Sequence, residues 1–135
     1  MKARGAHGSI VNVSSGAATS ARLGAAGYCG SKAAIDMLTQ TLAIELGPYA
    51  IRVNAVSPGL VTDAPLHTGD AGITPYMQMM LDMTPLRRTG EPSDIAEVVA
   101  FVASDRAAWM TGTIVQVSGG SHTGRPHVPL PRPPA

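Results

Sequence analysis

Three short β-branched runs separated by stretches of helical periodicity leave this chain few architectures. The runs are Ser9 to Ser14, Ile51 to Val56 and Thr113 to Val117, and each reads as a buried strand. Between the first two, Ile35, Leu38, Leu42 and Leu46 recur at intervals of three and four, which predicts a helix over Tyr28 to Leu46. Gly47-Pro48 is then expected to supply a left-handed cap and a stop. Between the second and third runs come a loop over 60–75 and the Met-rich segment Tyr76 to Met83, broken by Pro85. A further helix follows, with Pro92 in its first turn and Ile95, Val98, Val99 and Val102 as its apolar stripe. Strand, helix, strand, helix, strand predicts an α/β fold with a parallel sheet and right-handed crossovers. Strands this apolar are normally covered on both faces, whereas the few helices here are expected to cover only one.

The chain has 135 residues, which predicts one domain or a piece of a larger one. Hydrophobic residues are 44% and charged residues 14%, a globular balance. Ten basic side chains against nine acidic ones, with no basic run, argue against nucleic acid as a partner. No stretch approaches the roughly 18–20 apolar residues that span a bilayer. Met1-Lys-Ala-Arg-Gly is followed by an apolar segment only from Ile10 to Val13, so no signal peptide is read.

The single cysteine, Cys29, excludes an internal disulfide and fits a reducing cytoplasm; it is expected to be a small buried residue. His7, His67, His122 and His127 show no ligand spacing, so no metal is assigned. The tail Arg125 to Ala135 holds five of the eleven prolines and is expected to be extended or disordered.

The chemistry concentrates in Ser15, Tyr28 and Lys32. Tyr and Lys four apart on a helix share a face, and a hydroxyl at the end of the preceding strand can meet them there. A phenol is a poor base at pH 7, and making it one takes roughly 4 kcal/mol of preference for the phenolate. An ammonium about 5 Å away contributes roughly 3 kcal/mol at an effective dielectric of about 20. The serine hydroxyl would hold the reacting oxygen at a fixed distance from the phenol. Such a trio moves a proton to or from a carbinol or carbonyl oxygen while something else moves the hydride. A Tyr-x-x-x-Lys pair alone is a weak signal, and Tyr28 as a helix-start aromatic beside a solvated Lys32 is the plain alternative. A serine hydrolase using Ser15 is a poor reading, because no G-x-S-x-G elbow is present.

Four segments together are far more specific: Gly8-Ser-Ile-Val-Asn-Val-Ser-Ser15, Tyr28-Cys-Gly-Ser-Lys32, Ile51-Arg-Val-Asn-Ala-Val-Ser-Pro-Gly59 and Pro85-Leu-Arg-Arg-Thr-Gly-Glu-Pro92. Over about residues 8 to 121 the chain resembles the C-terminal half of a classical short-chain dehydrogenase/reductase, most like the 3-oxoacyl-carrier-protein reductase and glucose dehydrogenase branches. The resemblance implies a partial doubly wound, Rossmann-like sheet over residues 1–121, with 122–135 as a Pro-rich tail. It implies an NAD or NADP-dependent oxidoreductase acting on a small-molecule alcohol or ketone, with Ser15 and Tyr28 as the catalytic pair. Lys32 would acidify the phenol and hold the nicotinamide ribose, and a cationic nicotinamide ring would favour the phenolate further. Pro58 and Gly59 match the turn beside the nicotinamide, and Val61 and Thr62 the positions meeting its carboxamide and phosphate. Leu66 to Met83 would cover the pocket. Homo-oligomers are expected of the full-length form.

The same comparison exposes departures. No G-x-x-x-G-x-G turn follows a strand and no Asn-Asn-Ala-Gly segment is present, so half of the expected cofactor site is missing. Ser118 stands where the family usually has aspartate. These gaps predict weak or no activity for residues 1–135 alone. They also leave an alternative, a non-catalytic remnant that associates with a full-length relative.

Overall fold

The computed structural model describes residues 7–62 and 74–124. Its elements are β1 (Gly8–Val13), α1 (Ala26–Leu46), β2 (Ile51–Pro58), α2 (Pro75–Asp82), α3 (Pro92–Ala103) and β3 (Ile114–Val117). Single 3-10 turns lie at Gly16–Ala18, Gly47–Tyr49 and Asp105–Ala107. Each sequence-predicted element is present with ends moved by one or two residues. The expected tail Arg125 to Ala135 and the first part of the expected pocket cover, 66–73, lie outside the described residues.

The strands pair in parallel in the order β1-β2-β3, with Ile10 beside Val53 and Ala55 beside Ile114. β2 is the spine: Val53, Asn54, Ala55, Val56 and Ser57 have no exposed surface. Side chains alternate along a strand, so its two faces can be assigned from their contacts. Asn12 Nδ2 donates to Thr39 Oγ1 at 2.9 Å, which puts Asn12, Ile10 and their neighbours Val53 and Ala55 under α1. Ser9 and its neighbour Arg52 both donate to the Val102 carbonyl, which puts the opposite face under α3.

Two expectations are corrected here. The helices cover both faces of the sheet, one each, and not one face only. The strand order advances in one direction while the helices lie on opposite faces, so the two crossovers have opposite hands. One of them is therefore the uncommon left-handed kind. The β2-to-β3 connection is long and carries α2 as well as α3, which frees it from the constraint acting on a short crossover.

The face that α1 turns to the sheet also differs from the expected stripe. Thr39 and Ala43 are its buried residues, with Ile35, Leu42 and Leu46 half-buried, while Leu38 is half exposed and Met37 and Ile44 more so. Small side chains at the contact let helix and sheet approach closely, and the larger apolar residues fall to the flanks. Cys29 is half-buried, not buried. The left-handed residue after α1 is Ala50 (φ 54°), because Gly47 stays right-handed and the 3-10 turn carries the chain three residues further.

Arg52 fastens α3. Its guanidinium donates to the carbonyls of Val102 (2.8 Å), Ala103 (3.2 Å) and Ser104 (2.9 Å), meeting the acceptors that a helix C-terminus leaves unpaired. Asn54 does the same for the turn that follows, donating to the Met110 carbonyl and accepting from the Thr113 N–H. At the other end of α3, Asp94 accepts from the Glu91 N–H and from both Nη atoms of Arg88. The Arg88 hydrogen bond, then the Glu91 N–H, pull the Asp94 pKa from 3.8 to about 2.

Arg52→Met should cost about 2–3 kcal/mol of unfolding free energy in urea, with Arg52→Lys recovering only part, since one ammonium cannot span three carbonyls. A loss below half a kcal/mol in that experiment would refute the anchoring role. The lowered Asp94 pKa means that the unfolded chain protonates first. Its contribution is therefore full above about pH 4 and fades as pH falls from 3.8 towards 2. Asp94→Asn should flatten that part of the stability-versus-pH curve and leave neutral-pH behaviour with no such acid-dependent component.

Candidate active site

β1 delivers the first component. The chain leaves the strand at Val13, stays in the sheet for one more bond (Ser14 N–H to the Val56 carbonyl, 2.8 Å), and turns at Ser15. Ser15 is extended (φ −163°, ψ 152°) and nearly buried; its Oγ accepts from the Ala17 N–H at 3.2 Å and so caps the Gly16–Ala18 turn. The hydroxyl proton is left to be donated elsewhere, because this contact uses only an oxygen lone pair.

Tyr28 and Lys32 lie one turn apart near the start of α1. Lys32 Nζ donates to the Val13 carbonyl at 3.0 Å and sits 5.8 Å from the centroid of the Tyr28 ring. The last carbonyl of β1 thus fixes the ammonium, and the ammonium faces the phenol. Tyr28 itself is half exposed (49%) and open to solvent. Ser15, at the end of the strand whose last carbonyl holds Lys32, makes no hydrogen bond to Tyr28 or Lys32. The structure therefore joins Lys32 to Tyr28 directly and places Ser15 by the strand.

The end of β2 forms a second wall. Gly59 donates to the Val117 carbonyl at 3.0 Å, and a Cβ there would lie 2.8 Å from Ser118 Cα, so only glycine permits this approach. Beyond it, Gly90 donates to the Leu60 carbonyl (2.8 Å) and accepts from the Thr62 N–H (3.1 Å), making a parallel bridge between Val61 and Gly90. In such a bridge the peptide groups of Val61 itself face away from Gly90. Thr62 differs: its N–H is held by Gly90, and its hydroxyl donates to Thr89 at 3.2 Å. Ser118 bonds His122 at 2.8 Å in place of any carboxylate contact.

A third wall comes from α2. A cavity of about 620 Å³ lies between the loop after Ser15 and the methionine face of α2, with Gly16, Met79, Met80 and Met83 in its lining. Across it, Arg22 Nη1 donates to Tyr76 Oη at 3.0 Å. Sequence reading missed this bridge and the pairing of Val61 and Thr62 with Thr89 and Gly90. The Pro85 to Pro92 segment was recognisable, but its role needs two loops thirty residues apart to meet. Among the described residues no cluster of His, Cys, Asp or Glu is placed to hold a metal, and no helix is long and apolar enough to cross a membrane.

The family model described as enoyl-(acyl carrier protein) reductase matches residues 1–122. An uncharacterized oxidoreductase of Methylorubrum extorquens is 44% identical over 116 residues, covering 86% of this chain and 47% of that protein. L-xylulose reductase of Bos taurus is 42% identical, covering 87% of this chain and 48% of its own length. The (3R)-3-hydroxyacyl-CoA dehydrogenase of Rattus norvegicus is 40% identical, with 86% and 44% covered. A solved putative betaketoacyl-ACP reductase superposes with a TM-score of 0.80 at 41% identity, covering 92% of this chain and 50% of that one. The chain spans about half the length of the curated relatives it matches. A Rossmann-like parallel sheet, relatives this similar and a family match over nearly the whole chain lead to one assignment: the chain belongs to the short-chain dehydrogenase/reductase family.

Proposed function

We propose that this chain carries the proton-transfer half of an NAD(P)-dependent oxidoreductase of alcohols and ketones. The observation that carries the reading is the Val13 carbonyl holding Lys32 Nζ at 3.0 Å, with that ammonium 5.8 Å from the Tyr28 ring. In this reading Tyr28 donates a proton to the carbonyl oxygen during reduction and takes it back from the alcohol during oxidation. Lys32 stabilises the phenolate by its charge. The Ser15 O–H donates to the same substrate oxygen and fixes its distance from Tyr28.

The residues present fit the nicotinamide end of the cofactor. In this reading the Val61 peptide, which faces away from its bridge partner, meets the carboxamide, the Pro58-Gly59 turn packed against Ser118 lies beside the ring, and Lys32 meets a ribose hydroxyl. Thr62 keeps its N–H on the Gly90 carbonyl, so its hydroxyl, which also bonds Thr89, would be the group it offers to the cofactor. When bound, the cofactor supplies the hydride acceptor or donor. No glycine-rich turn for the pyrophosphate occurs in the sequence. Residues 1–135 alone are therefore proposed to hold NAD(P)H weakly and to turn over little. We further propose a cytoplasmic location, a single domain through about residue 121, and homo-oligomers of the full-length form. The intact Ser15, Tyr28 and Lys32 favour this reading over a non-catalytic remnant.

Two measurements test it. Residues 1–135 should give no saturable enhancement of NAD(P)H fluorescence at micromolar concentration; a saturating signal would overturn the idea of a half-site. In a version restored to full length, Tyr28→Phe should lower nicotinamide-dependent turnover of a secondary alcohol by about 10²–10⁴-fold while cofactor affinity stays within about twofold. Turnover surviving that change would remove Tyr28 from its assigned role.

A further inference from the structure

Arg22 is placed unlike the other described arginines. Arg52 is saturated by backbone carbonyls, Arg87 and Arg88 are paired with Asp82 and Asp94, and Arg106 stacks on Phe101. Arg22 has a neutral phenol as its polar partner, the Tyr76 hydroxyl at 3.0 Å, and among the described residues no carboxylate pairs with it. A guanidinium has five N–H donors, and this contact engages one of them. The cation also stands in the wall of the 620 Å³ cavity, which has no acidic side chain among its described lining residues. The rest of the described lining is mixed: Met79 and Met80 of α2 and Met83 just after it give an adaptable apolar side, and Thr19, Ser20, Ser121 and His122 add polar groups. Gly16, the residue after Ser15, is in the same lining, so the cavity begins one residue beyond the Ser15 turn.

We propose that Arg22 is a specificity-determining residue, selecting substrates whose apolar body ends in an anionic oxygen group, a carboxylate or a phosphate. A planar guanidinium offers such a group two parallel N–H bonds, which a phenol cannot match. Tyr76 holds the fork across the cavity mouth in the free protein and yields it, or shares it, when an anion arrives. The methionine face accepts the carbon chain leading back towards Ser15 and Tyr28. This inference rests on the proposed oxidoreductase reading for the word substrate, but the binding preference can be measured without turnover.

The test uses residues 1–135 and three probes of one chain length: hexanoate, hexyl phosphate and hexan-1-ol, followed by ligand-observed NMR titration. At least one of the two anions should bind about five- to tenfold more tightly than the alcohol, and 0.5 M salt should shrink that margin. Which anion wins decides between carboxylate and phosphate. Arg22→Gln should erase the preference, Arg22→Lys should keep part of it, and Tyr76→Phe should keep or increase it, because the cation loses only its competitor. A preference that persists in Arg22→Gln, equal affinity for all three probes, or no binding of any probe by the folded wild-type chain would overturn the proposal. Tyr28→Phe should leave the preference unchanged, so loss of the oxidoreductase reading and loss of this one are separable.

Discussion

β2 runs through the middle of the sheet with five consecutive residues that have no exposed surface, so every polar group it carries has to be dealt with inside the protein. Its backbone is paired on both sides by β1 and β3. Its apolar side chains divide between two faces, and each face then needs a helix over it. Its long polar side chain, Arg52, and its buried Asn54 reach out to the carbonyls at the end of α3 and the turn after it. The position of α3 thus follows from satisfying β2, and so does the reversal of crossover hand. Not every group is met: the Ser57 hydroxyl of β2 is buried without a hydrogen-bond partner, as is that of Ser14 just after β1.

The site inherits its geometry from the same strand pairing. β1 is held in register against β2, so its last carbonyl, Val13, has a fixed position, and Lys32 is fastened to that carbonyl. Ser15 follows two residues later, already turned by its own capping bond. The closeness of Gly59 to Ser118 ties the end of β2 to the end of β3, and the Val61–Gly90 bridge ties the next loop to the start of α3. Lys32, which faces Tyr28, and the Val61–Gly90 bridge are therefore positioned by one end of the sheet, the carboxyl ends of its strands, where open α/β sheets gather their ligands.

Much of this was legible before any coordinates. The three β-branched runs and the α3 stripe at Val98 and Val102 gave strands and helix in the right order, because periodicity is a local property. Ser15, Tyr28 and Lys32 could be singled out as candidates because residue type and spacing are local, and the nearness of Lys32 to the Tyr28 ring follows from their i, i+4 spacing. α1 was misread at its contact face: a helix apolar on several sides carries little directional information, and Thr39 and Ala43 won the interior through their small size. The cap at Gly47 was misplaced because the 3-10 turn is stabilised by Pro48 and a single backbone bond, Ala50 N–H to the Gly47 carbonyl.

By itself, then, the sequence determined the element order, the buried character of the strands and which three residues, Ser15, Tyr28 and Lys32, are the candidates for proton transfer, all of which rest on local pattern and side-chain chemistry. Only tertiary structure decided which face of the sheet each helix covers, that Val13 is the residue fixing Lys32, and that Thr62 turns its N–H inward. It also decided that Arg22 reaches Tyr76 across a cavity. Each of these is a meeting of segments distant in the chain, set by strand register and burial, and no local pattern encodes it.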